Sequence, residues 1–325
     1  MIPGAHVAAV IDVGSNSVLL LTVTVGSDGT TRALDEGLAS TRLGAGLRDG
    51  GRLDPTRVAA TTDAITAFAM RARAAGARRV WGLATAAARR ASDGSAFVRA
   101  AGQAAQIPLE VLSGAREAEL AYAAVAHALA DVRQPLLVAD LGAGTLELTL
   151  GVGELIEETT SLPLGALRLS EEYLQGDPPS PESLRALTDR VRALLEDSPL
   201  VQRARARRIV LAAAGGTASA LGALDCGVQR YEPARVHAHE LGVVTLGTLA
   251  RVLSAMSTPA RQALPAVEAG RAALLPAGAA VLAVLVDVLG TNGLTVSEHG
   301  VRHGYLRAQL GTTSPSAIHF HSLWA

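Results

Sequence analysis

The sequence predicts a two-domain α/β protein, and three observations support that fold class. The chain has 325 residues, which is long enough for two hydrophobic cores of roughly 150 residues each. Hydrophobic residues make up 49% and charged residues 18%, a composition that excludes a disordered chain or a coiled coil. A pattern of strand, glycine-containing turn and strand occurs twice, around Asp12 and around Asp140. Two copies of one pattern indicate two halves with related cores.

The copy in the middle of the chain is LLVADLGAGTLELTLG, residues 136–151. An apolar run ends at Asp140, a turn follows, and apolar residues then alternate from Leu146 as in a second strand. Glycines let a backbone approach a ligand closely, and successive N–H groups in such a turn form a nest that suits phosphate. The alternative is a buried hairpin of any α/β protein. The candidate phosphate-binding residues here are Gly142, Ala143, Gly144 and Thr145.

The amino-terminal copy has the same order in AAVIDVGSNSVLLLTV. An apolar strand ends at Asp12, a polar turn follows, and an apolar strand begins again at Val18. The recurrence favours a phosphate-binding turn over a chance hairpin. The candidate residues of this turn are Gly14, Ser15, Asn16 and Ser17.

Together, IDVGSNSVLLLTV and ADLGAGTLELTLG resemble the exopolyphosphatase and guanosine pentaphosphate phosphatase family. That family is part of the actin, Hsp70 and sugar-kinase superfamily, in which two facing hairpins hold a nucleotide or a phosphate chain. The resemblance implies two ribonuclease H-like (actin-like) domains with an inter-domain cleft. Domain I would span 1–130, with a C-terminal helix near 301–315 packing back on it, and domain II would span 131–300.

Two further stretches predict helices. Pro55 after a potential cap at Asp54 predicts a helix from Pro55 to about residue 75. The longest apolar stretch, residues 272–289, contains Pro276 and Asp287 and is too short for a membrane span, so we expect a buried helix there.

Thr85 and Arg89 follow a predicted strand at residues 79–84, in ATAAARRASDGSAF. The carboxyl end of a strand is the usual ligand-binding edge of an open α/β sheet. Family members commonly carry ATSAxRxAxN here, and this sequence retains the threonine and the arginine. The resemblance therefore implies that Arg89 contacts phosphoryl oxygens, which its planar guanidinium suits.

Glu117 lies in SGAREAEL, where Ser113 is a good helix cap. From spacing alone, an acid at this position could simply complement the helix dipole. The resemblance implies more, because SGxxEA is a signature of the family and its glutamate before alanine is taken as the general base. Arg116 would then either steer phosphate or lower the pKa of Glu117.

All 29 basic residues are arginine, since lysine does not occur. This excludes a Walker A loop, a protein kinase and a Schiff-base enzyme, all of which need lysine. Phosphates would be bound by backbone N–H groups, hydroxyls, arginine and a metal ion. Under the resemblance, Asp140, Glu147 and Asp12 are the candidate ligands of Mg²⁺ or another divalent cation.

The resemblance predicts a hydrolase that removes the terminal phosphate of polyphosphate or guanosine pentaphosphate. Ala143, Ala86, Arg90 and Ala273 depart from the family pattern. These departures leave open a non-catalytic sensor of polyphosphate or alarmone, and the superfamily leaves open a small-molecule kinase. We expect Ala143 to be strained, because the family usually has a third consecutive glycine there and glycine favours positive φ.

The remaining expectations concern location and partners. A single cysteine, Cys226, cannot form an intrachain disulfide, and the start of the chain lacks the basic region of a signal peptide. We therefore expect a cytoplasmic protein. Under the resemblance we also expect a homodimer that binds neither nucleic acid nor membrane.

Overall fold

The computed structural model describes residues 6–27, 30–129 and 134–311. Within these ranges the chain packs into two compact units, one of residues 6–120 with 301–311 and one of residues 121–300. The predicted domain boundary at residues 130 and 131 lies outside the described residues, as does the end of the predicted helix beyond residue 311.

The first unit is built on a five-stranded sheet with the order β3-β2-β1-β4-β5. The central strand β1 pairs antiparallel with β2 and parallel with β4. Its residues 8–11 are fully buried, as expected for a strand covered on both faces. The elements are β1 (His6–Val13), β2 (Val18–Val25), β3 (Thr31–Ala39), α1 (Pro55–Ala74), β4 (Ala77–Ala84), α2 (Ala86–Arg90), α3 (Gly94–Ala105), β5 (Leu109–Val111), α4 (Gly114–Ala128), which continues into the second unit, and the late helix α13 (Val301–Leu310).

The second unit is built on a six-stranded sheet with the order β10-β11-β9-β6-β7-β8. Its elements are β6 (Leu136–Leu141), β7 (Leu146–Val152), β8 (Leu155–Leu162), α5 (Ala166–Tyr173), α6 (Pro181–Glu196), α7 (Pro199–Arg205), β9 (Val210–Ala214), α8 (Gly216–Asp225), α9 (Pro233–Val236), β10 (Glu240–Gly242), α10 (Val243–Ala255), α11 (Thr258–Gln262), α12 (Leu275–Leu289) and β11 (Gly293–Val296).

The two sheets share one topology. In each, three strands consecutive in the chain form an antiparallel meander, and two later strands extend the sheet in parallel from the first of the three. Strand β10 is an antiparallel addition to the second sheet. The structure thus shows the related cores that the duplicated sequence pattern predicts.

The units divide inside helix α4, after Leu120. The second half of this helix packs on the second sheet, because Tyr122 and Val125 belong to a buried cluster with Leu136 and Val138 of β6. A boundary inside a helix leaves no glycine, proline or polar run in the sequence to mark it.

Both predicted helices form. Helix α1 begins at Pro55, and the Asp54 side chain accepts a hydrogen bond from the Arg57 N–H, which satisfies an N–H that the helix itself leaves unpaired. Helix α12 is buried along almost its whole length, so the expectation for residues 272–289 is confirmed. Among the described residues, no helix combines the length and the apolar character that a membrane span requires.

Candidate active site

The first turn, Gly14–Ser17, closes the antiparallel pair β1–β2. The Gly14 N–H donates to the Ser17 carbonyl at 3.0 Å, which fixes the loop as a tight turn. The side chains of its polar residues are buried, and Ser15 Oγ and Asn16 Oδ1 have no hydrogen-bond partner among the described residues. Buried polar atoms are normally satisfied, so these oxygens indicate a place where a ligand completes the structure.

Arg89 and Glu117 meet beside this turn. Thr85 follows β4 and precedes α2, and its N–H donates to the carbonyl of Val13 at the end of β1. One turn later, Arg89 Nη1 donates to Glu117 Oε2 at 2.5 Å and to the Leu112 carbonyl at 2.9 Å. The structure therefore brings together two of the predicted site residues from separate helices of the first unit.

The carboxylates of this cluster are strongly perturbed. Burial raises the pKa of Glu117, while the charge of Arg89 and its hydrogen bond act in the opposite direction. Burial and the nearby charge of Glu117 raise the pKa of Asp12 from 3.8 to about 7, against the influence of Arg302 and Arg89. Perturbed carboxyl groups beside an arginine are typical of catalytic sites.

Arg116 is not the residue that lowers the pKa of Glu117, and its other suggested role, steering phosphate, stays a prediction. Its guanidinium pairs with Glu119 at 3.0 Å on the surface of α4, and Arg89 is the cation that acts on Glu117. The helix geometry explains this, because residues three apart lie on one face of the helix whereas adjacent residues do not. The Ser113 cap is confirmed, since Ser113 Oγ accepts from the Arg116 N–H.

The second turn, Gly142–Thr145, repeats the first. The Gly142 N–H donates to the Thr145 carbonyl at 3.0 Å, the same bond and length as between Gly14 and Ser17. Ala143 is not among the residues with positive φ, so the expected backbone strain is wrong. An alanine at negative φ fits the turn at no steric cost, which removes one observation that favoured a non-catalytic sensor.

Asp140 and Glu147 lie opposite each other on β6 and β7. Opposed residues of an antiparallel pair share a face of the sheet, so the two carboxyl groups lie side by side next to the turn. Ser161 donates to Glu147 Oε1 at 2.8 Å and orients that group. Two adjacent carboxylates fit Mg²⁺, which typically binds one or two protein carboxylates together with substrate phosphates and water.

Asp12 lies in the first unit, whereas Asp140 and Glu147 lie in the second. No group of three or more histidine, cysteine, aspartate or glutamate side chains suited to a metal ion occurs in residues 6–27, 30–129 and 134–311. The assignment of these three residues to a divalent cation stays a prediction.

Arg90 and Asp93, near the retained arginine, hold a loop. Arg90 donates to Asp49 Oδ1 at 2.6 Å and to the Leu47 carbonyl, and Asp93 Oδ1 accepts from the Leu53 N–H. Arg90, which departs from the family pattern, and Asp93 therefore both form hydrogen bonds with the connection between β3 and α1.

The sequence matches a known protein family and several of its members. A model of the Ppx/GppA phosphatase family matches residues 23–313. The chain belongs to this family. Exopolyphosphatase 2 of Mycobacterium tuberculosis is 32% identical over 308 residues, covering 91% of this chain and 96% of that protein. A guanosine-5'-triphosphate,3'-diphosphate pyrophosphatase of Vibrio vulnificus is 26% identical over 91% of this chain and 58% of its own length.

The structures of other Ppx/GppA proteins agree. The crystal structure of the Aquifex aeolicus family member superposes with a TM-score of 0.78 at 26% identity, covering 94% of this chain and 98% of that one. The predicted actin-like α/β fold class is therefore confirmed.

Two charged residues near the candidate sites were not predicted from the sequence of this Ppx/GppA protein. Arg302 of α13 donates to the Leu20 carbonyl at 2.9 Å and acts on the pKa of Asp12. The Arg271 guanidinium lies against Gly216, so closely that a Cβ there would be 2.0 Å from its central carbon. The sequence signal for both residues is the same, since each lies in a segment, residues 271–285 and 294–306, that resembles the closing segments of the family.

Proposed function

We propose that this Ppx/GppA protein hydrolyses the terminal phosphoanhydride bond of inorganic polyphosphate, of guanosine pentaphosphate, or of both. The observation that carries the proposal is the buried Glu117 paired with Arg89 next to a turn with unsatisfied polar atoms. The activities named for the M. tuberculosis and V. vulnificus relatives support the same reaction class.

Glu117 acts as the general base. Its Oε atoms accept a proton from a water molecule, the water oxygen bonds to the terminal phosphorus, and the bridging P–O bond breaks in line, releasing phosphate and a shortened substrate. Burial makes the carboxylate a stronger base than a glutamate in water, because it raises the pKa. The positive charge of Arg89 and its hydrogen bond to Glu117 oppose this rise in pKa.

The turns and the arginine bind the anion. Backbone N–H groups of the two turns, other than those of Gly14 and Gly142, donate to phosphate oxygens, as in other anion-binding nests. The Arg89 guanidinium, which also holds Glu117, donates to the terminal phosphoryl group.

Asp140 and Glu147 would hold Mg²⁺ in this proposal. When bound there, the ion supplies positive charge that offsets the negative charge on phosphate oxygens. In its absence, the two adjacent carboxylates would repel a polyphosphate chain.

The test is phosphate release from long-chain polyphosphate and from guanosine pentaphosphate, with and without Mg²⁺. We expect release from at least one of them that depends on Mg²⁺. Tight binding of both without release would instead support the sensor, and ADP formation from ATP with a sugar would support the kinase. The homodimer and the cytoplasmic location stay predictions.

A further inference from the structure

In the first unit, the segment after β3 contacts the Gly14–Ser17 turn through its backbone. The Arg42 N–H donates to the Asn16 carbonyl at 2.8 Å, and the Gly44 N–H donates to the Ser15 carbonyl at 2.8 Å. Arg42 adopts φ of 53°, a left-handed conformation that non-glycine residues rarely take. The residue in this rare conformation is the same one whose N–H group bonds to the turn.

The second unit repeats the arrangement. After β8, the Ala166 N–H donates to the Gly142 carbonyl at 3.0 Å, and the Leu167 and Arg168 N–H groups donate to the Ala143 carbonyl at 2.9 and 3.1 Å. In both units, therefore, the segment that follows the third strand in chain order, β3 or β8, donates hydrogen bonds to two successive carbonyl groups of the turn.

A bonded carbonyl fixes the direction of the next N–H group. In a planar trans peptide, the C=O of one residue and the N–H of the following residue point in opposite directions. We call the segments after β3 and after β8 the supporting segments. The four bonded carbonyls thus direct four N–H groups away from these supporting segments. These N–H groups, which donate no backbone or side-chain hydrogen bond within the described residues, belong to Asn16, Ser17, Ala143 and Gly144.

The supporting segments can come this close only because glycine stands at the contact. A Cβ on Gly44 would lie 2.7 Å from Ser15 Cβ, and a Cβ on Gly165 would lie 2.1 Å from the carbonyl carbon of Gly144. Both distances are shorter than nonbonded carbon atoms allow. A methyl group at either position must displace the turn.

We propose that Gly44 and Gly165 are positioning residues for substrate phosphates. Each one lets its segment hold the neighbouring turn so that two N–H groups per turn remain directed at the anion. This inference rests on the proposed function, in which the turns bind phosphate, and it adds two residues that do not themselves touch substrate.

The test compares Gly165→Ala and Gly44→Ala with Gly151→Ala. Gly151 is a matched control, because its Cβ would lie 2.3 Å from the Leu155 carbonyl oxygen, yet it pairs with Leu136 at the other end of the β6–β7 hairpin. All three variants are expected to lose thermal stability. Only the two variants at the turns should raise KM for polyphosphate, by about tenfold or more, with a much smaller change in kcat, because the N–H groups bind ground state and transition state alike.

The outcomes distinguish the positioning role of Gly44 and Gly165 from the proposed hydrolysis on which it rests. Equal KM values for the turn variants and the Gly151→Ala control would overturn the positioning role. If Gly165→Ala does not fold, Gly44→Ala decides, because its added methyl would come within 2.7 Å of Ser15 Cβ and 3.3 Å of Ser15 Cα, a milder overlap than the 2.1 Å to backbone at Gly165. Absence of hydrolysis by the parent enzyme would overturn the proposed function, and binding of tripolyphosphate to each variant would still test the positioning role.

Discussion

The replacement Asp12→Asn tests whether burial makes the ionised form of the Asp12 carboxyl group costly in the folded protein. In the folded protein the pKa of Asp12 is raised from 3.8 to about 7, chiefly by burial, and Oδ1 has no hydrogen-bond partner in the part of the chain that the structure describes. A raised pKa means that the folded state holds a proton which the unfolded state has already lost. The stability that this proton contributes is complete below about pH 4 and is lost as the pH rises to about 7.

The size of the effect follows from the pKa difference. The interval between 3.8 and about 7, at ~1.4 kcal/mol for each pH unit, corresponds to up to about 4 kcal/mol. Asparagine cannot ionise, so the variant does not lose this part of its free energy of unfolding as the pH rises. We expect the stability of the variant relative to the parent to increase by up to about 4 kcal/mol between pH 4 and pH 8.

The assay is urea unfolding in EDTA at several pH values, followed by tryptophan fluorescence. Trp81 on β4 lies in the same unit as Asp12. The control Asp63→Asn changes an exposed carboxylate on α1 and should differ from the parent by less than about 0.5 kcal/mol. A difference between Asp12→Asn and the parent that stays constant from pH 4 to pH 8 would refute the reasoning.

Three other replacements have defined outcomes. Arg89→Lys should lower kcat at least about tenfold, because a single ammonium cannot reproduce the two-pronged contact to phosphoryl oxygens that a guanidinium makes; kinetics equal to the parent would show that only charge matters. Ala143→Gly should leave kcat/KM unchanged and lower the free energy of unfolding by about 0.4–1 kcal/mol, because glycine adds freedom to the unfolded chain; a gain in kcat/KM would contradict the relaxed backbone at Ala143. Asp140→Asn should raise the Mg²⁺ concentration for half-maximal phosphate release at least about tenfold and leave the melting temperature in EDTA nearly unchanged; an unaltered Mg²⁺ dependence would place the ion elsewhere than beside Glu147.

The elements that carry the site were predictable because their signals are local. The turn at Gly14–Ser17 is marked by an apolar run that stops at an aspartate, and the start of α4 by Ser113 as a cap. Such signals place Arg89 after a strand and Glu117 in the first turn of a helix, whereas the roles expected of the two residues come from the family resemblance.

The partners of these residues were not predictable, because packing between distant segments decides them. Glu117 has Arg116 as its neighbour in sequence, but the fold pairs it with Arg89, 28 residues away. Arg302 approaches β2 from 282 residues away. The φ angle of Ala143 likewise depends on α5, whose first N–H groups hold the carbonyl of that residue.

The most direct test of the account is the turnover of Glu117→Gln. Glutamine keeps the shape and can still accept a hydrogen bond from Arg89, but it cannot take a proton from water. We expect kcat for phosphate release to fall at least about a hundredfold with substrate binding little changed. The control Glu119→Gln, two residues later on the exposed side of α4 and paired with Arg116, should match the parent. A loss of about tenfold or less for Glu117→Gln, or an equal loss in both variants, would contradict the assignment of Glu117 as the general base.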